Sequence, residues 1–250
     1  MKPWYETAFG SEYLELYPHR DDNEARADVR AIIDLIDPPK AEPLLDLGCG
    51  AARHLLALHE AGFQQLVGLD LSRDLLAAAA QRISEAGAQG IELIRSDMRH
   101  IPAGRHFATV LSIFTSFGYF ETDEEDAQVI RGAFAALQPG GQFLLDTLGR
   151  GATVSALVAE EIKTIGTRTL HIRRRLTDDG KRVEKETRVS SDGREMATFR
   201  ESVRMYRPEE LSEMFGEAGF AGIRIFGSVA GESHDETSRR LVVSARKMEP

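Results

Sequence analysis

The segment LLDLGCGAARH, from Leu44 to His54, constrains the fold of this chain more than any other. Its apolar first half predicts a buried strand, and its second half predicts the first turn of a helix. Gly48 and Gly50 lie between them, where glycine can adopt a positive φ and leaves the backbone open to a ligand. Because the start of a helix carries unpaired N–H groups and a partial positive charge, the segment predicts a binding site at the end of a strand.

Apolar runs typical of buried strands alternate with helical periodicity along the first 150 residues. The predicted strands are 43–47, 65–70, 91–95, 107–114 and 142–146. Ser72 is a predicted helix N-cap, and Thr122 with Glu125 forms the capping box that begins another helix. Since short connections between apolar strands and helices are typical of a parallel sheet covered on both faces, we expect an α/β fold.

The pattern changes after residue 150, where strand-like alternation replaces helical periodicity. The predicted antiparallel strands are 167–176, 182–189 and 196–206. Pro208 then begins another helix, which leads into two final strands at 223–226 and 240–244. The predicted units are an N-terminal lid and ligand-binding core at 1–150, an inserted antiparallel sheet at 151–207, and a return to the core at 208–250.

Composition limits the partners and the compartment of this 250-residue chain. Its formal net charge is −9 and its pI is about 5.4, which argues against nucleic acid as a partner, because nucleic-acid-binding proteins usually carry a basic field. No apolar run reaches the about 18 residues that a membrane span needs, and the N-terminus lacks the features of a signal peptide. Cys49 is the only cysteine, so we expect a cytoplasmic protein that acts on a small molecule, not on a membrane.

Acidic residues stand at the ends of successive predicted strands. Asp46 lies two residues before Gly48, Asp70 ends the second strand, and Asp97 follows the third. Since the carboxyl ends of parallel strands meet at the edge of the sheet where ligands bind, these carboxylates are expected to face one ligand. Asp46 would repel a pyrophosphate and attract an ammonium group. Asp70 could accept both hydroxyls of a ribose, and Asp97 with Met98 could bind an adenine.

A dinucleotide-binding turn is an alternative interpretation of the same glycines. Its fingerprint requires a third glycine for close packing of the helix, and Arg53 occupies that position. An ordinary turn between a strand and a helix, without a ligand, is a second alternative for the glycines alone.

Together these motifs resemble those of class I S-adenosylmethionine-dependent methyltransferases. The matching segments are Leu44–Gly50, Val67–Ser72, Ser96–Met98 and Leu137–Asp146. The resemblance implies a Rossmann-like sheet of seven strands with helices on both faces, an antiparallel last strand, and an inserted antiparallel sheet over the substrate side. It also implies S-adenosylmethionine as cofactor and methyl transfer as the reaction. Ala52 stands where many members have another glycine; alanine costs little there if φ stays negative, and the change is not expected to alter the ligand.

The resemblance also assigns residues to the cofactor, and no metal is expected. The expected cofactor-binding residues are Tyr17, Arg20, Asp46, Gly48, Cys49, Gly50, Asp70, Leu71, Asp97, Met98 and Phe114. Tyr17 and Arg20 belong to an aromatic-rich N-terminal segment, which either packs on the sheet or forms a lid that excludes water from the sulfonium. In the lid interpretation Arg20 binds the methionine carboxylate.

The methyl acceptor is suggested by the segment Phe114–Phe120, FTSFGYF. This segment is similar to that of bacterial small-molecule methyltransferases, including amino-sugar N-methyltransferases. It lacks the Asn/Asp-Pro-Pro-Tyr sequence of methyltransferases that act on amide or adenine nitrogens. A nitrogen or oxygen of a metabolite is therefore the expected acceptor, with proximity supplying most of the catalysis. Weak candidates for catalytic groups are Tyr119, His171 and Tyr206.

The insert alternates arginines with acidic residues, which is typical of a solvated sheet face. A sharper hypothesis is that Arg173, Arg204 or Tyr206 points inward and binds an acidic substrate. Other functions remain open, namely RNA methylation, a non-catalytic regulatory protein that binds S-adenosylmethionine, and a dinucleotide oxidoreductase. The protein is expected to be a monomer or a homodimer.

Overall fold

Strands and helices alternate along the first part of the chain, as a computed structural model shows for residues 3–10, 22–191 and 194–249. The helices are α1 (Asp22–Ile36), α2 (Arg53–Glu60), α3 (Arg73–Glu85), α4 (Asp123–Ala136), α5 (Arg150–Ser155) and α6 (Pro208–Glu217). The strands are β1 (Leu44–Leu47), β2 (Leu66–Asp70), β3 (Ile91–Arg95), β4 (Phe107–Ser112), β5 (Leu137–Leu148), β6 (Glu160–Ile165), β7 (Arg168–Leu176), β8 (Arg182–Ser191), β9 (Arg194–Arg204), β10 (Ala221–Phe226) and β11 (Arg240–Arg246).

The central sheet contains seven strands in the order β10–β11–β5–β4–β1–β2–β3. β11 runs antiparallel to both of its neighbours, and the pairs from β5 to β3 are parallel. The strand order changes direction between β1 and β4, so a crevice opens beyond their carboxyl ends. Ligands bind at such crevices in open α/β sheets. The seven-stranded sheet with one antiparallel strand confirms the predicted fold.

Both faces of the sheet carry an apolar core. Leu45 and Leu47 point into a cluster that includes residues of α4 and α6, and Leu44 points into a second cluster with residues of α1 and α2. This division follows the alternation of side chains along a strand. β1 and β4 are buried throughout, because helices cover them on both sides.

Two predicted helix starts are confirmed by their caps. The Ser72 hydroxyl accepts the backbone N–H of Leu75 at 3.1 Å at the start of α3. At the start of α4, Thr122 and Glu125 form both hydrogen bonds of a capping box. These caps satisfy N–H groups that the first turn of a helix leaves without partners.

The inserted sheet contains four antiparallel strands in the order β6–β7–β8–β9, one more than the sequence predicts. The sequence pattern omits β6, because its residues EEIKTI are largely polar and show little apolar alternation. It also omits α5, which has only six residues and no side-chain cap. Leu170, Ile172 and Val189 form the small apolar core of this sheet.

Ion pairs within the insert join neighbouring strands. The Nε atom of Arg173 lies 3.1 Å from a carboxylate oxygen of Glu160, and Lys185 lies 2.9 Å from Glu201. The side chain of Arg173 is 63% exposed, so the structure gives no support to its predicted inward orientation. Within the described ranges, no helix is long and apolar enough to cross a membrane.

Candidate active site

A cavity of about 280 Å³ opens beyond the carboxyl ends of β1, β2, β3 and β4. The residues expected at the cofactor that line it are Gly48, Cys49, Gly50, Asp70, Leu71, Asp97, Met98 and Phe114, and Tyr119 lines it as well. Asp46 is buried beneath the glycine turn and is not part of the cavity wall. Tyr17 and Arg20 lie outside the described residues.

The glycine turn packs tightly against the segment that follows β4. Gly48 has φ +76°, and a Cβ atom placed on it would lie 2.7 Å from the Cβ of Ser116. Its position therefore excludes a side chain both by backbone conformation and by space. Ala52, at the N-cap of α2, has φ +64°, so the condition under which alanine costs little there, a negative φ, is not met. The glycine of other members would fit this left-handed conformation without strain.

Asp70 ties the glycine turn to the end of β2. One carboxylate oxygen accepts the backbone N–H of Gly50 at 2.8 Å, and the other accepts that of Ser72 at 2.8 Å. Burial raises the pKa of Asp70 and outweighs these hydrogen bonds, which favour the charged form. Asp70 lines the cavity wall, and a carboxylate has about four acceptor sites, so these hydrogen bonds do not exhaust its capacity.

Asp46 is a buried carboxylate with an unused oxygen. Its side chain is almost inaccessible, and Oδ2 has no hydrogen-bond partner among the residues that the structure describes. Burial raises its pKa to about 6, partly offset by the nearby His54 and Arg53. Buried polar atoms without partners are rare in native proteins. Asp46 therefore places an unsatisfied carboxylate oxygen behind the glycine turn, outside the cavity wall.

Arg53, which lines the cavity, contributes a second buried atom without a partner. Its Nη1 donates to Glu24 at 2.8 Å, and its guanidinium carbon lies 4.0 Å from the centre of the Phe114 ring. Its Nη2 is buried and has no hydrogen-bond partner within the described part of the chain. The neighbouring His54 also lines the cavity and lies 3.3 Å from a carboxylate oxygen of Asp28.

Asp97 is held by an arginine that the sequence analysis missed. Arg99 contacts both carboxylate oxygens of Asp97, with a shortest distance of 2.6 Å, and it also pairs with Glu125. Burial opposes ionisation of Asp97, but the Arg99 hydrogen bonds prevail and lower its pKa. The guanidinium carbon of Arg99 lies 4.3 Å from the Phe120 ring centre. An arginine two residues after a strand-end acid is the sequence signal that could have revealed this contact.

Aromatic residues from the N-terminal segment close one side of the cavity. Trp4 and Phe9 pack on Tyr119, with ring centres 5.0 and 5.6 Å away, and Tyr5 packs on Phe120 at 5.2 Å. Tyr5 and Phe9 themselves line the cavity.

The backbone also fastens this segment. The Ser72 hydroxyl donates to the carbonyl of Phe9 at 2.5 Å, which joins the N-terminal segment to the start of α3. The arrangement fits the lid interpretation for the described part of this segment.

Comparison with known proteins bears on the identity of this site. Residues 44–141 match the methyltransferase domain family. Over 144 residues the chain is 34% identical to the dTDP-3-amino-3,4,6-trideoxy-alpha-D-glucopyranose N,N-dimethyltransferase of Streptomyces venezuelae, covering 57% of this chain and 58% of that protein. It is 29% identical to a tRNA U34 carboxymethyltransferase of Pseudoalteromonas translucida, covering 59% and 44% of the two chains. The chain thus spans about half the length of the curated relatives it matches.

Solved structures extend the likeness to the whole fold. The CcbJ methyltransferase from Streptomyces caelestis superposes with a TM-score of 0.82 and 20% identity, covering 97% of this chain and 99% of that one. CalS10 of Micromonospora echinaspora, an amino pentose methyltransferase solved with S-adenosylmethionine bound, gives a TM-score of 0.69 at 25% identity, covering 95% and 97%. Residues 44–141 are thus similar to methyltransferase domains, and the chain has the fold of solved S-adenosylmethionine-dependent methyltransferases.

Two of the expected catalytic candidates lie away from the cavity. Tyr206 is buried in the core, where its hydroxyl donates to Asp126 at 2.7 Å. His171 is exposed on β7 of the inserted sheet. Tyr206 follows the end of β9, its hydroxyl is directed to α4, and it is not among the residues that line the cavity. Of the three candidates, only Tyr119 lines the cavity.

Arg204 points inward, as the sequence analysis allowed, but it does not reach the cavity. Its guanidinium pairs with Asp123 at 2.9 Å and with Glu210 at 2.7 Å. The hypothesis that Arg204 binds an acidic substrate is therefore wrong. Arg204 joins the last inserted strand to α4 and α6.

Proposed function

We propose that this protein is a methyltransferase that transfers a methyl group from S-adenosylmethionine to an amine nitrogen of a small molecule. The observation that carries the proposal is a pair of buried, unpartnered atoms of opposite charge on residues that flank the glycine turn: Asp46 Oδ2 behind the cavity wall and Arg53 Nη2 on a residue of the wall. An α-amino acid presents an ammonium and a carboxylate group, which are complementary to these two atoms. The methionine end of S-adenosylmethionine is such a group, whereas a dinucleotide has none.

The rest of the cavity is suited to the adenosine part of S-adenosylmethionine, next to its amino-acid end. Asp70 retains acceptor lone pairs for ribose hydroxyls, and Asp97 with Met98 lies farther along the sheet edge. Asp97 is already paired with Arg99, so we propose that it offers its remaining lone pairs to the adenine amino group. The Asp46 carboxylate, next to the glycine turn, would repel the pyrophosphate of a dinucleotide bound there.

The chain's contribution to the reaction is binding, orientation and exclusion of water. S-adenosylmethionine supplies an electrophilic methyl group on a sulfonium, which a nucleophile attacks in line with the leaving thioether. Holding the two reactants in that geometry can supply much of the rate. We propose that Tyr5, Phe9 and Tyr119 shield the reacting atoms from water. An amine that arrives neutral needs no dedicated base.

The names of the relatives support an amino sugar as the acceptor. Two of them are N,N-dimethyltransferases of dTDP-amino-dideoxy or trideoxy sugars, and KedS8, a structural neighbour, is a sugar N-methyltransferase. We propose an amino sugar of this kind as the substrate class. The tRNA relative suggests RNA methylation as an alternative, but a net charge of −9 is unfavourable for a polyanionic substrate.

We also propose that the unit at 151–207 covers the acceptor side of the core formed by 1–150 and 208–250. The backbone N–H of Arg204 donates to the Gly118 carbonyl at 2.8 Å, and Arg182 donates to the same oxygen at 3.2 Å. Gly118 belongs to the segment after β4, whose neighbours line the cavity. A cytoplasmic location and a monomeric or homodimeric state remain predictions.

Titration calorimetry with S-adenosylhomocysteine tests the cofactor, with NAD as the comparison ligand. We expect binding of S-adenosylhomocysteine and none of NAD. Arg53→Gln should weaken binding of S-adenosylhomocysteine but not of 5′-methylthioadenosine, which lacks the amino-acid end. Arg105→Gln is a matched control, because Arg105 pairs with Glu92 away from the cavity. Absence of binding to the wild-type protein would overturn the proposal.

A separate assay tests the acceptor. The protein, S-adenosylmethionine and a dTDP-amino sugar are incubated together, and mass spectrometry measures the gain of one or two methyl groups. Methylation of an unfractionated tRNA preparation and not of the sugar would favour the RNA alternative.

A further inference from the structure

The backbone after β4 contains two consecutive left-handed residues that are not glycine. Phe114 has φ +57° and Thr115 has φ +64°. Non-glycine residues rarely adopt this conformation, and bulky or β-branched ones do so at a cost. Such a conformation persists only where the surroundings impose it, and it is concentrated at functional sites.

Asp146, near the end of β5, contacts both strained residues. Its Oδ2 accepts the backbone N–H of Phe114 at 2.9 Å, and its backbone carbonyl accepts that of Thr115 at 3.1 Å. The side chain of Asp146 is 7% exposed. The turn is thus fixed to a buried residue of the neighbouring strand.

Arg240, the first residue of β11, completes the arrangement from the next strand. It binds the Asp146 carboxylate with two nitrogens, at 2.6 and 2.5 Å, and its Nη1 donates to the Thr115 hydroxyl at 2.9 Å. A bidentate pair of this kind fixes orientation as well as charge. Residues of β5 and β11 therefore determine the conformation of the turn after β4.

The strained turn places the Phe114 ring in the cavity wall. The guanidinium carbon of Arg53 lies 4.0 Å from the ring centre and that of Arg240 lies 5.8 Å from it. The hydroxyl of Ser116 donates to the Gly48 carbonyl at 3.3 Å, so the same segment also contacts the glycine turn. A change in the turn would move Phe114 relative to the residues proposed to bind the cofactor.

We propose that the Asp146–Arg240 pair is a positioning device that holds the Phe114–Thr115 turn and thereby sets the cavity wall against which the cofactor and the acceptor align. Neither Asp146 nor Arg240 lines the cavity, so both act through Phe114. The functional part of this inference rests on the proposed function, but the effect on the turn does not.

Glycine substitution separates this device from general stabilisation. Arg240→Gln removes the bidentate pair and the bond to Thr115, so the left-handed turn should relax. Adding Thr115→Gly should restore the turn, because glycine adopts a positive φ without strain. Adding Thr115→Ala, which removes the same hydroxyl but retains a Cβ, should not restore it.

Two measurements follow these variants. Hydrogen exchange reports the protection of the Phe114 and Thr115 amides, and calorimetry reports the affinity for S-adenosylhomocysteine. We expect Arg240→Gln to speed exchange at both amides and to weaken binding about tenfold, the effect of one lost charge-assisted hydrogen bond. Arg240→Gln/Thr115→Gly should recover most of the affinity, and Arg240→Gln/Thr115→Ala should not. Arg105→Gln should match the wild type in both measurements.

Equal behaviour of the glycine and alanine double variants would overturn the inference, as would a lower melting temperature in Arg240→Gln with unchanged exchange and affinity. If Arg240→Gln fails to fold, Arg240→Lys replaces it in the same comparison, because it retains the charge but not the bidentate geometry. If the wild-type protein binds no S-adenosylhomocysteine, the proposed function fails. The exchange measurements then still decide whether the pair holds the turn.

Discussion

The carboxylate of Asp70 accepts the backbone N–H of Gly50 at 2.8 Å, so the end of β2 holds the glycine turn that follows β1. The acid that the proposed function places at the ribose therefore also shapes the turn near the methionine end. Asp70→Asn retains one acceptor oxygen in place of two and can satisfy Gly50 or Ser72 but not both. We expect the affinity for S-adenosylhomocysteine, measured by calorimetry, to fall by about tenfold or more.

Glu217→Gln is the control for this change, because it neutralises an exposed acid at the end of α6. It should leave the affinity unchanged. An Asp70→Asn protein that binds S-adenosylhomocysteine as tightly as the wild type would exclude Asp70 from the cofactor site.

The buried Asp46 predicts a pH dependence of stability. Burial raises its pKa to about 6 in the folded protein, against an ordinary value of 3.8. Between these values the folded state binds more protons than the unfolded state, so the free energy of unfolding falls as pH rises through this window. Above it Asp46 is charged and destabilises the ligand-free protein, by on the order of 2–3 kcal/mol.

Asp46→Asn should therefore be more stable than the wild type near about pH 8 and should lose that advantage near about pH 4. Urea unfolding at both pH values measures the difference, and subtraction removes the contribution of other groups such as Asp126. Affinity for S-adenosylhomocysteine should weaken below about pH 6 in the wild type, since an ammonium group favours the charged carboxylate. Equal pH profiles of the two proteins would contradict this account.

Gly48 should be intolerant of any side chain because of its neighbour and not only because of its φ. A Cβ there would lie 2.7 Å from Ser116. Gly87 has a similar φ of +62°, but a Cβ placed on it would have no atom within 4 Å. Gly87→Ala should cost about 1–2 kcal/mol of unfolding free energy from backbone strain alone. Gly48→Ala should cost about 1–3 kcal/mol more through overpacking.

Urea unfolding of both variants measures this difference, and calorimetry with S-adenosylhomocysteine measures the functional consequence. Gly48→Ala should reduce binding while Gly87→Ala retains it. Equal destabilisation by the two substitutions would show that Ser116 can move away from the added methyl group without a loss of unfolding free energy.

The central fold was predictable because its signals are local. Apolar runs identify β1 and β4, and cap residues such as Ser72 and Thr122 mark helix starts within a few positions. The acids at the strand ends were predictable because parallel topology brings those ends together. β6 was not predictable from its sequence pattern, because its residues show little apolar alternation. It forms a strand because it pairs with β7.

The roles of several polar residues depend on partners that are distant in sequence, so these roles could not be predicted from the sequence. The sequence suggested that Arg204 and Tyr206 could bind a substrate. In the structure their side chains donate hydrogen bonds to Asp123 and Asp126, which lie on α4, far away in sequence. The same limitation applies to Asp146 and Arg240, which lie 94 residues apart and meet only through the antiparallel pairing of β5 and β11. Long-range pairing of charged groups leaves no periodic pattern in a sequence.

Tyr206→Phe tests the structural assignment of Tyr206 directly. Its hydroxyl donates to Asp126, whose other oxygen has no partner among the described residues and whose pKa burial raises to about 7. Losing this donor should lower the free energy of unfolding by about 1–3 kcal/mol, because it leaves a buried carboxyl group less satisfied. Affinity for S-adenosylhomocysteine and methylation of any acceptor should stay at wild-type levels. Tyr119→Phe, which changes a residue of the cavity wall, is the variant for comparison. If Tyr206→Phe lost turnover but kept the full affinity for the cofactor, Tyr206 would have a role in the reaction.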